Sequence, residues 1–300
     1  MPSTARSSGS STSWRRWLSN PYLIKEQAII SFSGGRTSAF MLWKILEAHG
    51  GTLPDNLKVV FANTGKEMPE TLDFVQACTD HWGVPITWVE LSEMHREEGD
   101  RYFTKGFRIV DYASASRKGE PFDIALKAVP SIPNARNRYC TGELKIRPMT
   151  QYAKSIGFET PFLTVVGIRG DEQRRAVKIH GVVSEGQEKY CPLWIDGITA
   201  EDVGRFWDKN NFDLQLPGVN GVTDWGNCDL CFLKAKNKRI SLIRQRPDLA
   251  DWWIQKEKEK GQLFRVNFIS YEEMKLIATD HGDLFADGSD EESIPCFCGD

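Results

Sequence analysis

Apolar runs alternate with amphipathic stretches through the first third of the chain. The run 27–32 is rich in β-branched residues and predicts a buried strand, and the runs 58–62 and 85–90 predict two more. Helical periodicity follows the first run, and a second helix is predicted from Pro69, which suits a first helical turn. Strands that alternate with helices at this spacing predict an α/β fold with a doubly wound, mostly parallel sheet.

The pattern changes in the later parts of the chain. Residues 94–137 are interrupted by Gly, Arg, Ser and Pro, and we expect them to form a long excursion over the sheet. An apolar run at 162–168 predicts another strand, and Thr199 is placed to cap a short helix over 199–207. Two helical stretches follow, at 240–260 and 271–280. We therefore predict a disordered tail over 1–20, an α/β domain over 21–210 and a smaller cysteine-bearing C-terminal region over 211–300.

Composition and charge narrow the class of protein. Hydrophobic residues make up 40% of the chain and charged residues 26%, with a net charge of −3, which is ordinary for a globular protein. No apolar run approaches the roughly 18 residues that a membrane-spanning helix needs. The N-terminus has no apolar core of signal-peptide length, so we expect a cytoplasmic protein with no membrane association.

Seven cysteines are the most informative part of the composition. In a reducing compartment, closely spaced cysteines are more typical of metal ligation or redox chemistry than of disulfides. Cys228 and Cys231 form a CxxC pair, which can serve zinc, an iron–sulfur cluster or thiol chemistry. Cys78 lies on an apolar helical face and is expected to be a buried core residue.

A glycine-rich loop follows the first predicted strand. It consists of Ser33, Gly34, Gly35, Arg36, Thr37 and Ser38. Backbone N–H groups at such a strand-to-helix turn point at one place, where the helix dipole also favours an anion. The alternative interpretation is an ordinary turn between a strand and a helix. The loop is too short for the GxxxxGK[ST] motif and lacks the third glycine of a dinucleotide-binding loop.

This loop resembles the pyrophosphate-binding PP-loop of the adenine-nucleotide alpha-hydrolase superfamily. That superfamily includes ATP pyrophosphatases, tRNA thiolation enzymes and the phosphoadenosine phosphosulfate (PAPS) reductases. Four further segments resemble the reductases in the same order, over roughly residues 27 to 235. They are NTGKE with ET (63–67, 70–71), CTGELKIRP (140–148), GIR with two later arginines (167–169, 174–175), and PLW followed by DV and Trp (192–194, 202–203, 207).

The resemblance implies a nucleotide-binding domain and a set of site residues. It adds Thr64, Gly65 and Glu67 to the six loop residues as nucleotide ligands, with Glu67 as a candidate for positioning Mg²⁺. It also implies that three basic residues stabilise the phosphates: Lys145, Arg147 and Arg169. Both glycines and the last serine of the ATP-cleaving loop are retained, which favours ATP over PAPS. Thr37 replaces the usual Asp, which weakens a magnesium contact there.

The resemblance also implies a metal centre. Cys140, Cys228 and Cys231 take the places of cysteines that hold a [4Fe–4S] cluster in some relatives, and Cys191 is our candidate for a fourth ligand. Zinc bound by the same four thiolates is the alternative. Near the C-terminus, Cys298 resembles the catalytic cysteine in the tail of the PAPS reductases, although acidic neighbours disfavour its thiolate. The alternative, which the sequence leaves open, is that Cys296 and Cys298 have no role.

Three functions follow as hypotheses. The first is an ATP pyrophosphatase that adenylates an acceptor for sulfur transfer, with a tRNA base or the DNA backbone (phosphorothioate modification) as acceptor. The second is a PAPS or adenylylsulfate reductase that uses Cys298 and thioredoxin. The third is a non-catalytic module that binds nucleotide or an iron–sulfur cluster. Expected partners include a sulfur donor protein, such as a cysteine desulfurase, and a nucleic acid, which the basic run 234–246 can contact.

Overall fold

A seven-stranded sheet forms the centre of the protein. The computed structural model describes residues 20–219, 221–265 and 268–280. The strands are β1 (Ala28–Phe32), β2 (Leu57–Ala62), β3 (Ile86–His95), β4 (Thr104–Val110), β5 (Phe162–Val165), β6 (Val183–Ser184) and β7 (Gln187–Tyr190). Their order is β4-β3-β2-β1-β5-β7-β6. The five inner strands are parallel, and the edge strands β4 and β6 are antiparallel to their neighbours. The predicted α/β fold is confirmed.

Helices surround this sheet and form most of the C-terminal region. They are α1 (Arg36–Ala48), α2 (Pro69–Trp82), α3 (Glu120–Ala128), α4 (Tyr139–Thr141), α5 (Arg147–Ser155), α6 (Gln173–Ile179), α7 (Pro192–Ile195), α8 (Ala200–Trp207), α9 (Lys236–Gln245), α10 (Ala250–Lys260) and α11 (Tyr271–Thr279). A π-helical turn, Gly142–Ile146, joins α4 to α5. Thr199 caps α8 as predicted, because its hydroxyl accepts from the backbone N–H of Asp202 and the Asp202 carboxylate accepts in return.

The structure differs from the sequence prediction in two regions. Residues 94–137, expected as an irregular excursion, contain β4 and α3. The edge strand β4 is largely exposed and pairs with β3 across a bulge at Leu91 and Glu93, so it lacks the clean alternation of a half-buried strand. The stretch predicted as one helix over 240–260 is two helices, because Pro247 interrupts it.

The largest apolar core cluster is one of three among the described residues. It extends from Tyr22 to Ala278 and crosses residue 210, where the sequence predicted a boundary. In the C-terminal part, Trp253 packs against Phe264 and Tyr271 and meets Phe122 of α3. In the part of the chain that the structure describes, no helix is long and apolar enough to cross a bilayer. The tail predicted over 1–20 lies outside the described residues except for its last residue.

Candidate functional site

The candidate site lies beside β1, at the point in the sheet where later strands are added to the opposite side. β1 pairs with β2 on one side and with β5 on the other, and all three are parallel. In a doubly wound sheet, the crevice at the carboxyl ends of such strands is the usual place for a ligand. The loop from Ser33 to Gly35 leaves β1 at this crevice and leads directly into α1.

The loop has the geometry of an anion site. Gly34 adopts a φ of 78°, and a Cβ added there would lie 2.6 Å from the Thr71 side chain, so glycine is required for two reasons. The Ser38 hydroxyl accepts from the backbone N–H of Ser33 at 3.2 Å and lies 2.9 Å from its hydroxyl. Gly35 caps α1 without a side-chain hydrogen bond, which leaves the first N–H groups of this 13-residue helix available to a ligand.

A cavity of about 280 Å³ lies over this loop. Its lining combines the loop with residues from four distant segments: Ser33, Gly34, Gly35, Arg36, Thr37, Thr71, Arg169, Glu172, Arg175, Thr223, Asn227, Cys231, Lys234 and Lys238 are among them. The predicted nucleotide loop and a predicted cluster cysteine therefore line the same cavity, which we call the phosphate cavity.

Two of the three arginines predicted to contact the nucleotide, Arg36 and Arg169, differ in position. Arg169 donates to the Thr37 hydroxyl at 3.1 Å and pairs with Asp171 at 2.9 Å, so its guanidinium lies at the loop. Arg36 instead forms a bidentate ion pair with Asp213, with both N–O distances at 2.7 Å, and donates to the Leu214 carbonyl. The Arg36 side chain thus anchors the segment that follows α8, and only its backbone belongs to the loop.

A second cavity, of about 180 Å³, lies on the other side of Ser33. Its wall is mostly apolar, with Phe32, Met149 and Val166, and two lysines, Lys145 and Lys189, also line it. Burial lowers the pKa of Lys189 to about 8, and its ammonium group is hydrogen-bonded to Gln187. Lys189 is not among the predicted site residues, because it lies on the short strand β7, which the sequence pattern does not predict.

Three of the predicted cluster cysteines come together. Cys140 is in α4, and Cys228 and Cys231 lie in the turn that precedes α9. Burial raises the pKa of Cys140 to about 12, and the charge of Cys231 contributes to this rise. Burial likewise raises the pKa of the Cys228 and Cys231 thiols, and Cys231 adds to the shift of Cys228. These three thiols form what we call the cysteine centre.

Lys145 supplies a positive charge to the cysteine centre. It lies on the π-helical turn that follows Cys140, and π-helical turns occur frequently at functional sites. Burial lowers the pKa of Lys145, but the Glu67 carboxylate and the three cysteines outweigh that effect, so the pKa is raised. Its Nζ is 3.9 Å from Glu67 Oε1. Lys145 therefore stays charged beside the thiols.

The loop after β2 connects the cysteine centre to the sheet. The Thr64 hydroxyl is 3.6 Å from Cys228 Sγ and donates to the Glu67 carboxylate at 2.9 Å. The Thr64 backbone N–H also donates to Glu67 at 2.9 Å. Gly65, with a φ of 76°, passes so close to Gly119 that a Cβ would lie 3.0 Å from its nitrogen. Glu67, predicted to position Mg²⁺, thus contacts Thr64 and Lys145, beside the thiols.

The remaining predicted residues lie elsewhere. Cys191 packs with Val166, Ile168 and Ala176 in a separate core cluster, and burial raises its pKa to about 12. Its charged neighbours are Arg175, Glu172 and Lys189, so the structure does not bring this predicted fourth ligand to the other three cysteines. Arg147 donates to Glu143 at 3.0 Å and is partly exposed. Cys296 and Cys298 lie outside the described residues.

The cysteine centre suits an iron–sulfur cluster as a donor set. Its three thiols are soft sulfur donors, and the charged Lys145 beside them would offset the negative charge of thiolates. Zinc would need its thiolates about 3.8 Å apart around one ion, given a Zn–S bond of about 2.3 Å. Among the residues that the structure describes, no three His, Cys, Asp or Glu side chains are arranged to hold a single metal ion.

Comparison with known proteins gives a family and several relatives. The family model of the phosphoadenosine phosphosulfate reductase domain matches residues 27–215. The uncharacterized nin region protein ORF290 of Escherichia phage lambda is 30% identical over 210 residues, which are 70% of this chain and 67% of that protein. The uncharacterized protein MJ0066 of Methanocaldococcus jannaschii is 28% identical over 164 residues, which are 54% of this chain and only 27% of that protein.

Two solved structures are also similar. The PAPS reductase from Candida auris, in a phosphate complex, aligns at 20% identity with a TM-score of 0.37, covering 67% of this chain and 79% of that one. The U34-tRNA thiolase NcsA from Methanococcus maripaludis, with its [4Fe-4S] cluster, aligns at 12% identity with a TM-score of 0.42, covering 91% of this chain and 80% of that one.

Proposed function

Because the chain belongs to the phosphoadenosine phosphosulfate reductase domain family, we propose that it is a sulfur-transfer enzyme that cleaves ATP between the α and β phosphates and adenylates an acceptor. One observation carries this proposal: the anion-binding loop and Cys231 line the same cavity. A nucleotide held there has its phosphates beside a thiol that belongs to the cysteine centre.

The two cavities suit the two parts of a nucleotide. Ser33 lines both of them, so a ligand can pass from one to the other over the end of β1. The phosphate cavity offers backbone N–H groups and Arg169, which suit a triphosphate with its bound Mg²⁺. The second cavity offers an apolar wall with lysine donors, which suits the base and ribose.

The proposed reaction has two steps. An acceptor oxygen attacks the α-phosphorus, the bond from that phosphorus to the bridging oxygen breaks, and pyrophosphate leaves with the electron pair. In the second step, a sulfur nucleophile at the oxidation level of sulfide forms a bond to the activated acceptor atom, and AMP leaves with the electron pair of the acceptor–oxygen bond that breaks. Loop N–H groups and Arg169 stabilise the charge that develops on the phosphates in the first step. The first step needs no change of oxidation state.

The cysteine centre would hold the cofactor. Cys140, Cys228 and Cys231 would bind a [4Fe–4S] cluster, which, when bound, supplies iron that can accept a sulfur species or an electron. Lys145 remains charged between these cysteines and Glu67, and it also lines the second cavity. This lysine can thereby contact both the thiolates and the nucleotide.

The acceptor is proposed to be a nucleic acid, either a tRNA base or the DNA backbone. Lys238 lies on the wall of the phosphate cavity and belongs to α9, whose sequence KNKRISLIRQ is strongly basic. A basic helix beside the reaction centre suits a polyanionic acceptor. A separate sulfur donor protein, such as a cysteine desulfurase, and a two-electron reductant that brings its persulfide sulfur to the level of sulfide complete the proposal.

Product analysis tests the reaction. Protein purified without oxygen is incubated with Mg²⁺, candidate acceptors and ATP labelled at the α-phosphate, and AMP and pyrophosphate are expected in equal amounts. Arg169→Ala should lower kcat/KM about 100-fold, as expected for loss of a charge-stabilising group. Arg205→Ala, which removes an exposed arginine on α8, should leave it unchanged. Formation of ADP and phosphate, or of no product with any acceptor, would contradict the proposal.

A reductase of PAPS or adenylylsulfate is the second candidate, and the description of the matching family model favours it. In that reaction, the Cys298 thiolate would attack the sulfate sulfur, and a thioredoxin-like reductant would release sulfite. Sulfite that appears with PAPS, requires a dithiol and disappears in Cys298→Ser would support this candidate. Sulfite release that survives Cys298→Ser would exclude this mechanism.

A further inference from the structure

A buried ion pair joins the loop after β2 to the CxxC segment. Lys66 follows Gly65 in that loop, and Asp229 lies between Cys228 and Cys231. Lys66 Nζ is 2.8 Å from Asp229 Oδ2, and both side chains are less than 10% exposed. Two cysteines of a CxxC motif can bind a metal without a buried ion pair between them. The presence of this ion pair therefore calls for a separate explanation.

The backbone around this pair is also joined. The Asp229 N–H donates to the Lys66 carbonyl at 2.7 Å, and the neighbouring residues Glu67 and Cys228 form an antiparallel β-bridge. The two segments therefore run side by side for two residues. This pairing places the Cys228 thiol 3.6 Å from the Thr64 hydroxyl.

The second oxygen of Asp229 extends the connection to α10. Asp229 Oδ1 accepts from Trp253 Nε1 at 2.8 Å and from the Leu230 N–H at 2.6 Å. Lys66 Nζ lies over the Trp252 ring, 4.9 Å from its centroid. One carboxylate thus fixes the loop after β2, the CxxC turn and the helix behind it. Because the pair is excluded from water, its geometry is maintained more strictly than that of a surface ion pair.

We propose that Lys66 and Asp229 are positioning residues that hold Cys228 and Cys231 at the spacing that the cluster requires. Among the described residues, the side chains of this pair contact each other, the two tryptophans of α10 and the Leu230 N–H, so they act through the backbone that carries the cysteines. This inference rests on the proposed cluster, but the arrangement of the thiols can be tested without it.

The test compares two lysine–aspartate pairs beside the same tryptophan, one buried and one with a partly exposed aspartate. Asp229→Asn keeps the shape of the side chain and its acceptor for Trp253 but removes the charge. The matched control is Asp123→Asn, because Asp123 pairs with Lys256 at 3.0 Å and Lys256 also lies over Trp252, without contact to the CxxC segment. Each full-length protein is assayed for iron release to a chelator, for the labelling rate of Cys228 and Cys231 in the iron-free form, and for ATP affinity.

Asp229→Asn should release iron at least 10-fold faster than wild type and change the labelling rates of both thiols at least 5-fold. Its ATP affinity should stay within 2-fold, and Asp123→Asn should match wild type in all three assays. If Asp229→Asn does not fold, the double variant Lys66→Met/Asp229→Leu removes both charges, and it should fold but retain iron poorly. Unchanged iron release and labelling in a folded variant would overturn the inference. Iron-free wild type would instead refute the proposed cluster, while thiol labelling would still test the positioning role.

Discussion

The loop after β1 and Cys231 of the cysteine centre line one cavity, but the loop and the cysteine centre are built in opposite ways. The loop is a single run of six residues whose function depends on backbone conformation, as Gly34 shows with its φ of 78°. The cysteine centre and its neighbours Thr64, Glu67 and Lys145 come from residues 64–67, 140–145 and 228–231, which only the fold brings together. Ligand affinity at the loop should therefore be sensitive to changes of the backbone. Iron binding at the cysteine centre should instead be sensitive to the loss of any one of the segments that contribute to it.

The largest effect is expected from replacing the cysteines. We expect the loss of nearly all bound iron in each of the variants Cys140→Ser, Cys228→Ser and Cys231→Ser. The reason is that a cluster held by three protein ligands is not retained by the two that remain. Cys191→Ser should keep its iron, since Cys191 packs in a separate core cluster. Iron and sulfide analysis of protein purified without oxygen measures this. Iron loss in Cys191→Ser equal to that in Cys140→Ser would show that Cys191 is a ligand after all.

A backbone change in the loop should give the next largest effect. Gly34→Ala forces a Cβ against Thr71 and strains the backbone, so ATP affinity should fall about 100-fold while the iron content is unchanged. Gly50→Ala is the control, because Gly50 has a similar φ of 72° and open space around its Cβ position. Calorimetric titration measures the affinity. Equal ATP binding by the two variants would contradict the role assigned to the loop.

The cysteine centre should also make stability depend on pH. The pKa of Cys140 is raised to about 12 in the folded protein, whereas an unfolded thiol titrates near 8.5. A raised folded pKa gives stability that is complete below the unfolded pKa and is lost as pH rises toward the folded one. Iron-free protein should lose roughly 1.4 kcal/mol per buried thiol by pH 9.5. Urea unfolding at pH 7.5 and 9.5 measures this loss of unfolding free energy. In Cys140→Ser the loss should be smaller by the contribution of one thiol.

The smallest effect is expected at Arg36. Its guanidinium is bound to Asp213 and the Leu214 carbonyl, so it anchors a segment of the protein and does not serve the ligand. Asp213→Asn should lower the melting temperature by a few degrees, as expected for weakening a partly buried pair. ATP affinity should change less than 3-fold. A loss of affinity as large as that of Gly34→Ala would mean that Arg36 acts on the nucleotide.

The same contrast explains what could be predicted from the sequence. Strand, loop and α1 are contiguous, so the period of the apolar residues and the glycines were enough to predict them. The edge strand β4 and the short strands β6 and β7 carry no clean alternation, because they are exposed or only two to four residues long. Lys189 lies on β7, and Cys191 directly follows this strand. Because β7 was not predicted, the positions of these two residues in the fold could not be inferred.

The cysteine centre was predicted in part because its residues are chemically distinctive. Cys140 and the CxxC pair were singled out by residue type and by resemblance, and the structure brings them together. Cys191 was chosen because it directly precedes a motif, and sequence proximity to a motif does not show where a side chain packs; the structure places Cys191 in a separate core cluster, and the fourth ligand stays a prediction. The Lys66–Asp229 pair was missed for the same reason, since its two residues are far apart in sequence.

Protection of Cys231 by ATP tests the shared cavity most directly. Iron-free protein is labelled with N-ethylmaleimide with and without saturating ATP and Mg²⁺, and each cysteine is followed by peptide mass spectrometry. Cys231 lines the phosphate cavity, so ATP should slow its labelling at least 10-fold, while Cys191, which does not line it, should be unaffected. Labelling of Cys231 at the same rate in protein shown to be saturated with ATP would contradict the account.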